Sequence, residues 1–342
     1  MATRRPHRPT TLAALAVAAS MVLTAAGCSS SATDDGAQSG DPAPTTTSPD
    51  EGGTFSLLSY NVAGLPAEIS KVRPDLNIPI ISPLLEPYDV VLTQEDFDWW
   101  KADGLASGLD FVNYHDRLRA DVTHEHRTEA HPGPEAVDLD LSDRQPPEVG
   151  DGLGVLSRFA LGDAVRVPWA ACFGGFDTSD GGAGDCLSMK GFLHVRMTLA
   201  DGVEVDLYDL HGEAGGTPTD QELQAADYEQ LAAYIVEHSA GRAVVLGGDT
   251  NLHTDLEHPD GSEGADIEIW DRFLEETGLT DACTATDCPE PGDIDKVAYR
   301  SGDGVELEAT AHDFPTSVFV DDEGEALSDH DPLEVVFTWR RA

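Results

Sequence analysis

The sequence predicts a layered α/β sandwich. Two observations carry this: seven short runs rich in β-branched and aromatic residues, several alternating with period two, and two amphipathic helical segments set among the later runs. Alternation marks strands with one dry face, so the sheets they form must be covered by a second layer. In chain order the strand runs are 54–62 (TFSLLSYNV), 88–94 (YDVVLTQ), 152–157 (GLGVLS), 191–199 (GFLHVRMTL), 203–210 (VEVDLYDL), 242–248 (RAVVLGG) and 333–339 (LEVVFTW). Residues 219–238 carry apolar positions at 223, 226, 231, 234 and 235 on one helical face, and Thr219 with Glu222 stands at capping-box spacing. A second helix is expected over 264–276, ending at Gly278. The polar stretch 116–150 has no pattern that assigns its structure. No linker divides the chain after Thr54, so 54–342 is read as one domain.

The segment before this domain reads as an export signal. Residues 1–28 hold a basic start (Arg4, Arg5, Arg8), an apolar run from Leu12 and small residues before Cys28. The apolar run is too short and too alanine-rich for a membrane span, and no other stretch reaches the ~18 apolar residues a span needs. Ala25-Ala26-Gly27-Cys28 is similar to a bacterial lipobox, although Ala25 stands where leucine is usual and Leu23 lies two places further back. Cys28 is therefore expected to carry a lipid, with ordinary secretion as the alternative. Residues 29–53 contain no large apolar residue and read as a disordered tether. Export implies an oxidising compartment, so Cys172 with Cys186 and Cys283 with Cys288 are expected as disulfides. The first closes a loop of about 15 residues, worth roughly 3 kcal/mol in the chain-entropy treatment.

Charge narrows the function. The chain has 64 Asp plus Glu against 20 Lys plus Arg, a net charge of −44, and loss of the three arginines before Cys28 makes it −47. Binding to nucleic acid normally needs a basic footprint that displaces counterions, so nucleic acid is disfavoured as a partner. Abundant acids also predict a well-hydrated, salt-tolerant surface. Only four lysines occur: Lys71, Lys101, Lys190 and Lys296.

Acids, amides and histidines fall at strand ends, where a sheet can aim several side chains at one point. Asn61 ends the first run, Glu95 follows the second, and His211 closes VDLYDLH. Asp249 and Asn251 lie in GDTN, Asp295 lies in IDKV, and Asp329-His330 precede the last strand. In this order QE, GDTN, IDKV and SDH resemble the endonuclease/exonuclease/phosphatase superfamily, with the resemblance running from about Phe55 to Trp339. The resemblance implies a deoxyribonuclease I-like, four-layer α/β sandwich of two mainly antiparallel sheets flanked by helices. It also implies a divalent cation, usually magnesium, and cleavage of a phosphoester. Such a reaction needs charge neutralisation, a base and donors for the phosphoryl oxygens. Glu95, with Asn61 nearby and Asp329 beside it, is expected to hold the metal. His330 is expected to act as general base, oriented by Asp295. Asp249 would orient the attacking water, Asn251 and His211 would donate to phosphoryl oxygens, and Asp329 would lie near the metal or support His330.

GDCLSMKGFLHVRM, residues 184–197, is similar to the segment of secreted sphingomyelinases that places an Asp and a Lys five residues apart before a Gly-aromatic strand. Asp185 and Lys190 fit that spacing and are implied as a switch beside the substrate phosphate. SYNVAGLP, YDVVLTQEDF and YDLHGEAG extend the resemblance to sphingomyelinase-like phosphodiesterases. With so few basic residues, beyond Lys190, Lys296 and Arg300, a zwitterionic phospholipid or another small phosphodiester is a better substrate than a polyanion. The alternatives are a secreted deoxyribonuclease or phosphatase of the same fold, or a surface lipoprotein that only binds. His124, His126 and His131 lie in a loop-like stretch without ligand spacing, and the adjacent pair Trp99-Trp100 reads as core.

Overall fold

The period-two runs form two sheets stacked face to face. In the computed structural model the described residues are 51–65, 70–97, 114–131, 147, 149–175, 181–255 and 262–342. They lie within one compact unit, Thr46–Ala342. The expected signal segment with Cys28, Trp99-Trp100 and residues 29–50 of the expected tether fall outside the described residues, whereas Gly52 and Gly53, read as the end of that tether, open a strand.

The first sheet contains β1 (Gly52–Asn61), β2 (Val90–Gln94), β3 (His126–Arg127), β4 (Gly154–Ser157), β12 (Val305–Asp313) and β13 (Leu333–Arg341), in the order β12-β13-β1-β2-β4-β3. The second contains β5 (Ala160–Leu161), β6 (Val165–Pro168), β7 (Gly191–Ala200), β8 (Val203–His211), β9 (Val244–Asp249), β10 (Thr280–Asp281) and β11 (Asp295–Arg300). Its order is β10-β11-β9-β8-β7-β5, with β6 also paired to β7. The β1–β2 and β8–β9 pairings are parallel and the other ladders are antiparallel.

The inner faces supply Phe55, Leu57, Leu92, Val195, Leu207, Val245 and Phe337 to one apolar core. Helices α1 (Pro74–Leu84) and α2 (Tyr114–Leu118) cover the outer face of the first sheet through Ile78, Ile81, Tyr114 and Leu118. Helices α3 (Pro218–His238) and α4 (Glu263–Thr277) cover the second through Tyr228, Leu231, Trp270 and Phe273. A short α5 (Ala282–Thr286) follows β10. This is the four-layer sandwich expected.

Details differ from the expectation. The cap of α3 is Thr217 with Asp220, not Thr219 with Glu222: Thr217 Oγ1 accepts from Asp220 N at 3.3 Å, and Asp220 Oδ2 accepts from Thr217 N at 2.9 Å. Pro218, with φ already helical and no N–H to satisfy, takes the first helical position and moves the start forward. Helix α1 was hidden by Pro74, Pro79 and Pro83, which read as breakers in sequence. α4 ends as expected, with Gly278 left-handed at φ 68°. Cys172–Cys186 and Cys283–Cys288 are both bonded, with Cα atoms 5.3 and 4.8 Å apart.

Candidate active site

Because β1, β2, β8 and β9 run the same way, their carboxyl ends share one rim of the sandwich. The antiparallel β11 starts there, with Asp295 opposite Asp249 in register, and the loop into β13 brings His330 over the same point. Asp249 is the hub. Its Oδ2 accepts from Asn61 Nδ2 at 3.0 Å and lies 3.3 Å from His211 Nε2 and 3.6 Å from His330 Nε2. Its Oδ1 accepts from Asn251 N at 3.0 Å. Burial alone would raise this carboxyl, but His330, His211, Lys190 and the Asn61 hydrogen bond outweigh it and hold Asp249 below its ordinary value.

His330 Nδ1 lies 2.8 Å from Asp295 Oδ2, leaving Nε2 toward Asp249 and, at 3.4 Å, toward Asn61. Desolvation lowers the imidazole pKa, yet Asp295 and Asp249 drive it well above the ordinary value. His211 is the reverse: burial, then the positive Lys190, push it well below, so it stays neutral. Two imidazoles a few ångströms apart are thus set to opposite protonation preferences.

Asn61 Nδ2 also donates to Glu95 Oε1 at 3.2 Å, while its Oδ1 accepts from Ala63 N at 3.0 Å. As a metal ligand Asn61 would use Oδ1, which accepts from Ala63 N, while its NH2 faces two carboxylates. Glu95 is partly exposed and left-handed at φ 52°. That strain is held by neighbours, since a Cβ on Gly152 (φ 67°) would press Phe97 at 2.7 Å and Glu95 Cα at 3.1 Å. Desolvation raises the Glu95 carboxyl, with His330 and Lys190 opposing.

Beside this cluster, Lys190 Nζ meets Asp185 Oδ1 at 2.5 Å and donates to Gly212 O at 3.0 Å. Asn251 Nδ2 donates to the same carbonyl at 3.1 Å. Among the expected residues, Asn61, Glu95, His211, Asp249, Asn251, Asp295 and His330 therefore converge, with Asp185 and Lys190 adjoining. Asp329 is placed differently: its Oδ2 pairs with exposed Lys71 at 3.2 Å, and Ser328, not Asp329, accepts from His330 N, at 3.2 Å. Lys296 turns to Thr254 Oγ1 at 2.9 Å. Arg300 bonds the carbonyls of Thr277 and Ser239 where α4 and α3 end, away from the rim. His124 is buried and its Nε2 lies 2.8 Å from Tyr88 O.

Several supporting residues escaped the sequence reading. Gln94 crosses between the sheets to Asp209 Oδ1 at 2.6 Å. Asp96, next to Glu95, accepts from Thr93 Oγ1 at 3.0 Å and Arg119 at 2.5 Å, with His115 Nδ1 at 3.1 Å. Glu213 is wholly buried two residues after His211. The quoted segments QE and HGEA held the only signal for Gln94 and Glu213.

A four-layer α/β sandwich with acids, amides and imidazoles gathered at one rim is of the deoxyribonuclease I-like kind. The chain belongs to the Endonuclease/Exonuclease/phosphatase family, whose pattern matches residues 58–330. It is 33% identical over 292 residues to proteins named sphingomyelinase from Mycobacterium bovis and Mycobacterium tuberculosis, covering 83% of this chain and 53% of theirs. The chain thus spans about half the length of those curated relatives. Among solved structures it is similar in fold to sphingomyelinase C from Streptomyces griseocarneus (TM-score 0.53, 18% identity, 83% of this chain and 99% of that one). It is equally similar to beta toxin from Staphylococcus aureus with bound magnesium ions (0.53, 16%, 83% and 99%). Danio rerio TDP2 with a single-strand DNA product shares the fold too (0.50, 14%, 83% and 98%).

Proposed function

We propose that the protein is a divalent-metal-assisted phosphodiester hydrolase of the sphingomyelinase type, releasing a headgroup such as phosphocholine from a phospholipid. The observation that carries this reading is the Asp295–His330 pair facing Asp249, beside Glu95 and the Asp185–Lys190 pair, on one rim.

Glu95 suits a hard cation such as magnesium: it is a carboxylate at the open side of the cluster, with no Lys or Arg in ion-pair contact among the described residues, and it accepts a hydrogen bond from the neutral Asn61 amide. Bound there, the cation would neutralise charge on the phosphoryl group. The chain's own residues do the rest. Asp295 accepts a hydrogen bond from His330 Nδ1–H, so that once the imidazolium favoured by Asp295 and Asp249 has released its Nε2 proton, Nε2 can take one from the attacking water. Asp249 turns that water toward phosphorus. Neutral His211 and Asn251 are hydrogen-bond donors for the phosphoryl oxygens, and Lys190 adds positive charge. A P–O bond to water forms as the bond to the lipid alkoxide breaks, and the departing oxygen takes up a proton.

The character of residues 1–28 supports export, with Cys28 lipidated and the enzyme at the outer face of the membrane; mass spectrometry of the mature amino-terminal peptide would show an acylated cysteine. Purified protein with magnesium is expected to hydrolyse sphingomyelin, and His330→Ala to lose at least about 100-fold in rate. Faster cleavage of double-stranded DNA than of any lipid headgroup overturns the substrate class. An undiminished rate after chelation overturns the metal.

A further inference from the structure

Glu213 has no part in the chemistry above, yet it is fully buried beside it. Its Oε1 accepts from Phe173 N at 2.5 Å, and its Oε2 has no partner. The residues on either side bond to both members of the neighbouring ion pair: Gly212 O accepts from Lys190 Nζ at 3.0 Å, and Ala214 N donates to Asp185 Oδ2 at 3.2 Å. Phe173 adjoins Cys172, whose disulfide partner Cys186 adjoins Asp185. The HGEA turn therefore wraps the Asp185–Lys190 pair and buries beside it a carboxyl whose Oε2 has no hydrogen bond.

We propose that Glu213 is a positioning residue for Lys190: its carboxyl, set beside Asp185, governs whether the ammonium is held in the pair or is available to an anionic phosphodiester. This rests on the reading of Lys190 as a phosphate contact. The charged groups facing Glu213 are Asp185 on the turn before β7, Lys190 at the foot of β7 and Asp220 in the first turn of α3. Burial first, and then Asp185, raise the Glu213 carboxyl to about 8, with Lys190 opposing. Below that pH Glu213 is neutral, and Lys190 answers to Asp185 and Asp249. Above it a further negative charge draws the ammonium inward and repels an incoming phosphate.

The test exploits the chain's four lysines. Full-length protein labelled with carbon-13 in lysine gives few side-chain signals, and Lys190→Arg identifies the one that matters. The Lys190 εCH2 resonance is expected to show an inflection near pH 8 that vanishes in Glu213→Gln, a near-isostere that still accepts from Phe173 N. In parallel, KM for bis-p-nitrophenyl phosphate should rise about tenfold between pH 7 and 9 in the wild type, one decade per 1.4 kcal/mol of lost attraction. It should stay flat in Glu213→Gln. An inflection that persists in Glu213→Gln, or its absence from the wild type, overturns the proposal. An inflection that depends on Glu213 in a protein that cleaves no phosphodiester upholds the coupling and overturns the reading of the site. Should Glu213→Gln fail to fold, Asp185→Asn must shift the Glu213-dependent inflection to lower pH; no shift overturns the proposal.

Discussion

At the scale of single residues, the sharpest chemical statement concerns the proton on His330. Asp295 faces Nδ1 at 2.8 Å, so in the neutral imidazole Nδ1 keeps the proton and Nε2 is the atom left to receive one. Asparagine at 295 would keep the shape but turn an NH2 toward Nδ1, favouring the tautomer whose Nε2 is already protonated. Asp295→Asn is therefore expected to lower kcat by about 10²–10⁴ with little change in KM, the size of effect seen when an orienting carboxylate is lost from a histidine base. A kcat within a few-fold of wild type would show that His330 is not the proton acceptor. Glu95, His211, Asp249, Asp295 and His330 were legible in the sequence because they punctuate strand ends in a recognisable order. Asp209, Asp96 and Glu213 were not: an acid's burial depends on which helix or loop later covers it, and no local pattern encodes that. Asn61 was legible as a member of the cluster, whereas the direction of its amide is set by Ala63 N and by two carboxylates far away in sequence.

At the scale of elements, β8 is anchored at both ends by polar groups, and the end remote from the site is a buried knot. Asp206 accepts from Arg196 Nε at 3.1 Å on β7, from Ser239 Oγ at 2.7 Å just past α3, and from Arg242 Nε at 2.8 Å ahead of β9. Burial would raise this carboxyl, but His194, Ser239, Arg196 and Arg242 hold it well below the ordinary carboxylate range. A folded-state pKa depressed below the unfolded value of about 3.9 contributes stability that is complete above roughly pH 4 and is lost as the pH falls further. Asp206→Asn is expected to cost on the order of 2–3 kcal/mol at pH 7, because two guanidinium groups lose a partner, one of them partly exposed. The difference in Tm should narrow as the pH approaches 3, where the carboxyl is protonated in the unfolded chain and must give up that proton on folding. A calorimetric gap that is the same at pH 7 and pH 3 would remove Asp206 from the acid-sensitive groups. The strands themselves were readable from alternation, and α3 and α4 from their apolar faces; α1 was masked by its prolines, and β12 by charged residues on its exposed face.

At the scale of the whole molecule, a net charge of −44 sets the long-range field that any anionic ligand meets. Three of the four lysines are described, and each is engaged: Lys71 with Asp329, Lys190 with Asp185 and Lys296 with Thr254. Arg300 is spent on helix ends. Nothing among the described residues near the rim makes the extended basic groove on which a polyanion would lie. A zwitterionic headgroup presents one negative phosphate beside its own positive charge, so long-range repulsion nearly cancels for it, while for DNA repulsion accumulates with every phosphate. Salt separates the two, because the Debye length falls from about 30 Å at 0.01 M to about 3 Å at 1 M. Hydrolysis of a zwitterionic phosphodiester is expected to vary less than about threefold across that range and to persist in molar salt. Any residual cleavage of DNA should rise with salt as repulsion is screened, opposite in sign to the counterion-release slope of proteins that grip phosphates with basic residues. DNA cleavage that falls steeply with added salt would mean that a local basic surface outweighs the net charge, and the preference for a small phosphodiester would have to be abandoned.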